Sequence, residues 1–219
     1  IYNNMLKLIK NPDFAVIKTS MNAINYLENT STFLKSDIAI ITGIGEAHFS
    51  TFKSVKDIAK IKTMIFDGLS STTGVAIINK DTLYADYLID KAHENASNVL
   101  TYSINKDAKA DLTVDNIKYN KGSIELSITN QDNKSEIYRL NTISEGMVSN
   151  TLASILTLKS LNLPIKQDLL NDFKPFSKIL ALKEIHAKTH KLTLLDDTHN
   201  ASLPAMINAI RAFNSQTKF

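Results

Sequence analysis

The sequence predicts an α/β fold, a mostly parallel sheet flanked by helices with an antiparallel β meander added to it. Three observations carry this expectation. Short apolar runs such as Ile38-Ala39-Ile40-Ile41 and Val75-Ala76-Ile77-Ile78 have the pattern of strands covered on both faces. They alternate with stretches of helical period, as βαβ units do. After Asp107 the pattern changes to alternating apolar and polar residues between Asn- and Gly-containing turns, the pattern of strands with one wet face.

Taken in order, Phe14 to Thr19 reads as a short buried strand after the Asn11-Pro12 turn, and Met21 to Leu34 as a helix. Asp37 to Ile41 is the next strand. Ser54 to Leu69 is a helix opened by an approximate capping box, Ser54 with Asp57, and closed near Gly68. Gly74 to Asn79 is a strand, Thr82 to Ala96 a helix and Asn98 to Ser103 a strand. The meander takes Leu112 to Val114, Asn116 to Tyr119, Ser123 to Ile128 and Glu136 to Leu140. Helices follow at Val148 to Leu161 and Ile165 to Phe173, then strands at Ile179 to Ile185 and Lys191 to Leu195, then a helix from Leu203 to Phe213. A domain break is expected near Pro175 to Lys178, dividing the chain into 1–178 and 179–219.

The 219 residues are 43% hydrophobic and 21% charged, an ordinary globular composition large enough for one domain and part of another. Twenty-five basic residues against 22 acidic ones are too even a balance to imply a nucleic-acid partner. With no cysteine, disulfides, zinc–thiolate sites and thiol nucleophiles are excluded. No apolar run reaches membrane length, and no secretory signal opens the chain, so a cytoplasmic setting is the expectation; a monomer is expected as well. The missing initiator Met and the unfinished final helical pattern suggest an excerpt of a longer protein.

The chemistry is expected around Asp37 to His48 and the helix after it. A polar, glycine-punctuated turn, Thr42-Gly43-Ile44-Gly45-Glu46-Ala47-His48, follows a buried parallel strand, where ligands of open α/β sheets bind. In the following helix Val55, Ile58, Ala59, Ile65, Phe66 and Leu69 form an apolar stripe, and Lys62 falls at its centre. Two readings are open. Lys62 snorkels from the stripe's edge, or it points into a site, since an unpaired buried ammonium costs several kcal/mol. His48 is either a surface residue or a phosphate- or metal-side residue. Gly43-Ile44-Gly45 is no dinucleotide fingerprint, because His48 occupies the third glycine position.

Together these residues resemble the Mur ligases. Ile41-Thr-Gly-Ile-Gly-Glu-Ala-His48, then Ala59-Lys60-Ile61-Lys62 with Ile65-Phe66, is similar to that family's "IGEAH…A-K-x-K-x-x-I-F" string. The likeness continues through Ile78-Asn79-Lys80-Asp81, through Val148-Ser-Asn150-Thr-Leu152, and into Leu195-Asp-Asp-Thr-His-Asn-Ala201, which resembles the "DDSYNANP" motif opening the family's third domain.

The resemblance implies an ATP-dependent amide ligase, with ATP and magnesium as cofactors and a UDP-sugar-peptide cell-wall precursor as the acceptor. It implies that His48 is a magnesium-site residue and that Lys62 matches the lysine the family carbamylates, which becomes an anionic metal ligand. Asn150 would lie on the adenine side, with Asp197 and Asn200 facing the nucleotide or the incoming amine from the third domain. The chain departs from the pattern in five ways, one being Ser144-Glu145-Gly146-Met147 where the family has G-x-H-N before the Asn150 helix. It contains no G-x-x-x-x-G-K-[ST] phosphate loop, which the family carries upstream of the stretch resembling Tyr2-Asn3-Asn4, so the 219 residues alone are expected not to turn over ATP. Lys18 stands where the family has a metal-binding Glu, Ile179 where it has an Arg, and His199 where it has Tyr. Lys18 and Ile179 motivate an alternative, a Mur-like protein without catalysis that keeps the fold for binding or scaffolding.

Overall fold

The computed structural model describes residues 12–24, 29–45, 54–129, 133–168, 170–172, 179–186, 188–198 and 203–216. Its strands are Ile38–Ile41 (β1), Val75–Asn79 (β2), Asn98–Ser103 (β3), Leu112–Thr113 (β4), Asn116–Asn120 (β5), Ser123–Thr129 (β6), Ser135–Leu140 (β7), Ala181–His186 (β8) and Lys191–Asp196 (β9). Its helices are Met21–Ile24 (α1), Ser31–Leu34 (α2), Val55–Thr63 (α3), Ala85–His93 (α4), Glu145–Ser160 (α5) and Leu203–Gln216 (α6).

β1 to β4 form a wholly parallel sheet in sequence order, with Ile41 opposite Ile78 and Ile78 opposite Thr101. Alternate residues of one strand face opposite layers. Ala76 and Ile78 point to the side covered by Ile58, Ala59 and Phe66 of the α3 region and by Leu88 and Ala92 of α4. Ile77 points to the other side, where Val148, Leu152 and Leu156 of α5 meet Ile124, Leu126, Tyr138 and Leu140 of the antiparallel β5-β6-β7 sheet. The result is the expected architecture of a helix-flanked parallel sheet with an added meander. β6 alternates inward Ile124, Leu126 and Ile128 with less buried neighbours, so the meander has the predicted wet face. Among the described residues no helix is long and apolar enough to cross a membrane.

Several boundaries differ from expectation. Phe14 to Thr19 is irregular rather than a strand, and Phe14 and Val16 are exposed. An apolar run becomes a strand only where a neighbouring edge takes up its backbone groups, and no described strand pairs outside β1. The helix expected over Met21 to Leu34 is interrupted. Asn29 adopts φ 90°, and its side chain donates to Met64 O and Asp67 Oδ2 while its Oδ1 accepts from Ser31 N. These bonds offer the chain a better outlet than continuing the helix. Leu112-Thr113 joins the parallel sheet beside β3 instead of opening the meander, because Asp111 Oδ2 accepts from both Thr101 N and Thr101 Oγ1 and holds the two chains side by side.

The helix from Thr82 is shorter than predicted and starts at Ala85, after Tyr84 in a left-handed conformation. The expected helix from Ile165 to Phe173 is not formed in its described residues, which are irregular or turn although Ile165 and Leu170 pack on the core; so short a segment gains too little from propagation to offset helix nucleation. Helix α5 starts at Glu145, earlier than Val148, where Tyr119 Oη donates to Glu145 Oε1 and anchors the first turn. The Ser54 to Leu69 prediction holds, with Ser54 Oγ accepting from Asp57 N and the last turn, Met64–Gly68, tightened to a 3-10 helix.

β8 and β9 are the two predicted strands, paired as an antiparallel hairpin. With α6 they enclose a small cluster of Leu180, Leu182, Leu195, Ala209 and Ala212 that packs on Ile143. Residues 173–178, where the domain break is expected, lie outside the described residues.

Three tyrosines tie the meander and the parallel sheet to alkaline pH. Burial pushes the Tyr102 phenol up to about 12. Burial also raises Tyr119 and Tyr138, and the Glu145 and Glu136 carboxylates that accept their hydrogen bonds raise them further. A phenol harder to ionise in the folded state stabilises fully below its unfolded value of 10.0, and that stability is lost as pH climbs through the folded value. Melting temperature is therefore expected to fall steeply between pH 10 and 12, and Tyr138→Phe is expected to flatten the fall. A melting temperature level across that range contradicts the assignment.

Candidate functional site

The carboxyl ends of β1, β2 and β3 converge with the amino-terminal turns of α5 and the last turn of α3. Residues 42–45 leave β1 as an extended loop. From the end of β2, Asn79 Nδ2 donates to Thr42 O at 2.9 Å and to Ser149 Oγ of α5 at 3.3 Å. Thr82 Oγ1 accepts from Ile44 N at 2.6 Å. Asp81 accepts from Ser103 Oγ and from Ile104 N, so the Asn79-Lys80-Asp81 motif stitches three strand ends together. Neither Gly43 nor Gly45 has a positive φ, and a Cβ at either would meet nothing closer than 3.6 Å among the described residues.

Lys62 lies beneath this loop. Its backbone sits on α3 between the buried Ile58 and Ala59 turn and Phe66, and its Nζ donates to Gly43 O at 2.5 Å. Desolvation by burial lowers its pKa, and no carboxylate pairs with it among the described residues. Lys60, two residues earlier, lies exposed and loosely paired with Asp57 at 3.9 Å, as an ordinary solvated lysine does. The Lys62 ammonium turns back from α3 to the loop after β1.

The other candidates are spread out. His48 and Asn200 lie outside the described residues, as does His199. Asn150 is exposed on α5, one residue beyond the Ser149 that Asn79 holds. Asp197 follows β9, half-buried, and its Oδ1 accepts from Leu180 N at 3.2 Å. No described hydrogen bond or ion pair joins Asn150 or Asp197 to Lys62. Lys18 is exposed on the irregular segment before α1, and Ile179 is half-buried just ahead of Leu180. Among the described residues no three His, Cys, Asp or Glu side chains come together to hold a metal ion. Carbamylation would turn Lys62 from a cation into an oxygen donor at this corner.

Sequence reading missed the structural work of Asn79, Thr82 and Ser149. A usable signal was present, four consecutive polar residues, Asn79 to Thr82, at the carboxyl end of a buried strand in an α/β chain.

Residues 1–158 match the Mur ligase middle domain. The UDP-N-acetylmuramoyl-tripeptide--D-alanyl-D-alanine ligase of Buchnera aphidicola is 29% identical over 212 residues, covering 94% of this chain and 44% of that protein. Among solved structures, MurF from Acinetobacter baumannii superposes with a TM-score of 0.71 at 21% identity, over 85% of this chain and 39% of its own. The MurF ligase from Thermotoga maritima in complex with ADP gives 0.66 at 22% identity, over 82% and 39%. The chain thus spans less than half the length of these relatives, and the superpositions speak to its fold. The parallel sheet, the lysine turned back to the loop after β1 and the match over residues 1–158 lead to one conclusion: this chain belongs to the Mur ligase family.

Proposed function

We propose that the protein to which this chain belongs is an ATP-dependent amide ligase that adds an amino acid or dipeptide to a UDP-sugar-peptide precursor of the cell wall. ATP would phosphorylate the acceptor carboxylate, releasing ADP. The incoming amine would then attack the acyl phosphate, forming the amide and releasing phosphate. Bound magnesium would supply neutralisation of charge on the phosphates. The observation that carries this reading is the seat of Lys62, a half-buried lysine with one backbone partner at the carboxyl end of a parallel sheet. Such a lysine is suited to carbamylation, because a lowered pKa leaves more of the neutral amine that reacts with carbon dioxide.

In this reading His48 and carbamylated Lys62 serve the metal, while Asn150, Asp197 and Asn200 serve the nucleotide. Residues 1–178 would belong to the central ATPase-like domain and 179–219 would begin the third. The setting would be the cytoplasm, where the nucleotide-linked precursor is made, and the enzyme would act as a monomer. That the relatives are ligases favours the ligase over the non-catalytic alternative.

The test is amide formation by the full-length gene product, with ATP, magnesium, the UDP-linked tripeptide and D-alanyl-D-alanine. An intact phosphate loop upstream of Ile1 is a precondition, and a broken one sinks the proposal. His48→Ala is expected to weaken magnesium-dependent nucleotide binding about tenfold or more; an unchanged magnesium titration would remove His48 from the site.

A further inference from the structure

The carbonyl that receives Lys62 belongs to a peptide unit gripped at both ends. Gly43 O and Ile44 N–H lie in one planar peptide. Lys62 Nζ holds the oxygen at 2.5 Å, and Thr82 Oγ1 holds the N–H at 2.6 Å. The preceding peptide is held as well, because Thr42 O accepts from Asn79 Nδ2 at 2.9 Å. Asn79 is itself oriented, since its Oδ1 accepts from Asp81 N at 2.9 Å and its Nδ2 also reaches Ser149 Oγ. Gly43, between the two held peptides, has no Cβ to limit its dihedral angles, so side chains from elsewhere must set them. Rotation of the Gly43–Ile44 peptide would carry its oxygen away from Lys62, leaving a half-buried ammonium with no partner.

We propose that Thr82 and Asn79 are positioning residues for the ligase reaction, holding the Gly43–Ile44 peptide so that its carbonyl fixes the place of Lys62 Nζ. The inference rests on the ligase reading above and adds two residues that never touch the substrate in it. Asn79 has a second consequence. Its amide joins the loop after β1 to Ser149 on α5, adjacent to Asn150, so the lysine side and the proposed nucleotide side share one side chain.

The experiment compares Thr82→Val, Thr82→Ser and Asn79→Ala in the full-length protein. Val keeps the shape of Thr and loses the oxygen, while Ser keeps the oxygen. Thr82→Val is expected to lower kcat about tenfold or more, with KM for ATP within about twofold of native, because misplacement of a reacting group costs rate rather than binding. Thr82→Ser is expected to retain kcat within about threefold of native, and Asn79→Ala to lose kcat as Val does. In the same variants the Ile44 amide is followed by hydrogen exchange, expected to speed up about tenfold in Thr82→Val and to stay slow in Thr82→Ser. Native kcat in Thr82→Val or in Asn79→Ala, a Ser variant as slow as Val, or unchanged Ile44 exchange in Thr82→Val overturns the proposal. Should the native protein form no amide at all, the ligase reading fails. The exchange comparison still decides the clamp in that case: protection lost in Val and kept in Ser supports it, and an unprotected Ile44 in the native chain overturns it.

Discussion

Lys62→Ala is expected to reduce amide formation by the full-length protein by about a hundredfold or more, and added bicarbonate is expected to restore none of it. The same change is expected to move stability by no more than about 1 kcal/mol, because it removes a half-buried charge together with its hydrogen bond to Gly43 O. Loss of activity without unfolding is therefore the informative pattern, read from turnover and from the melting temperature of one preparation. Lys62→Arg sharpens the result. Arginine keeps a positive charge and cannot form the carbamate, so it is expected to be as inactive as alanine. An arginine variant that turns over would show that the site needs a cation, and an alanine variant with near-native turnover would make Lys62 a core lysine only.

Gly68→Ala is expected to destabilise the fold by about 3 kcal/mol. A Cβ at Gly68 would stand 2.1 Å from Ser31 O and 2.6 Å from Ser31 C, both backbone atoms. The backbone there has little room to withdraw. Ser31 Oγ and Asn29 Nδ2 both donate to Met64 O, and Asn29, Thr30 and Ser31 are buried. For a chain of this length the loss corresponds to a fall in melting temperature of roughly 6–12 °C, measurable by calorimetry on the 219 residues themselves. A fall of less than about 2 °C would mean that α2 and the turn after α3 separate cheaply. The variant also tests whether docking of the α3 end can fail without disturbing the Lys62–Gly43 bond.

How far the sequence reached can be seen element by element. The buried strands β1, β2 and β3, the capping of α3 by Ser54 and the one wet face of the meander were legible, because each depends on a local period or on side chains a few residues apart. The position of Lys62 on the apolar stripe was legible for the same reason. Two interactions between distant residues were not. The Met21 to Leu34 helix breaks because Asn29 binds Met64 and Asp67, more than thirty residues away. Leu112-Thr113 enters the parallel sheet because Asp111 binds Thr101. Phe14 to Thr19 has strand-like composition and no edge to pair with among the described strands.

The amino-acid sequence by itself determined the class of the fold, the strand-turn-helix corner and the identity of the odd lysine, since periodicity and residue type are local properties. Only the tertiary structure decided where that lysine goes and what holds its partner. The Gly43 carbonyl, Thr82 and Asn79 are 19, 20 and 17 residues from Lys62 along the chain, and a directional hydrogen bond between such residues exists only once the sheet has brought three strand ends together.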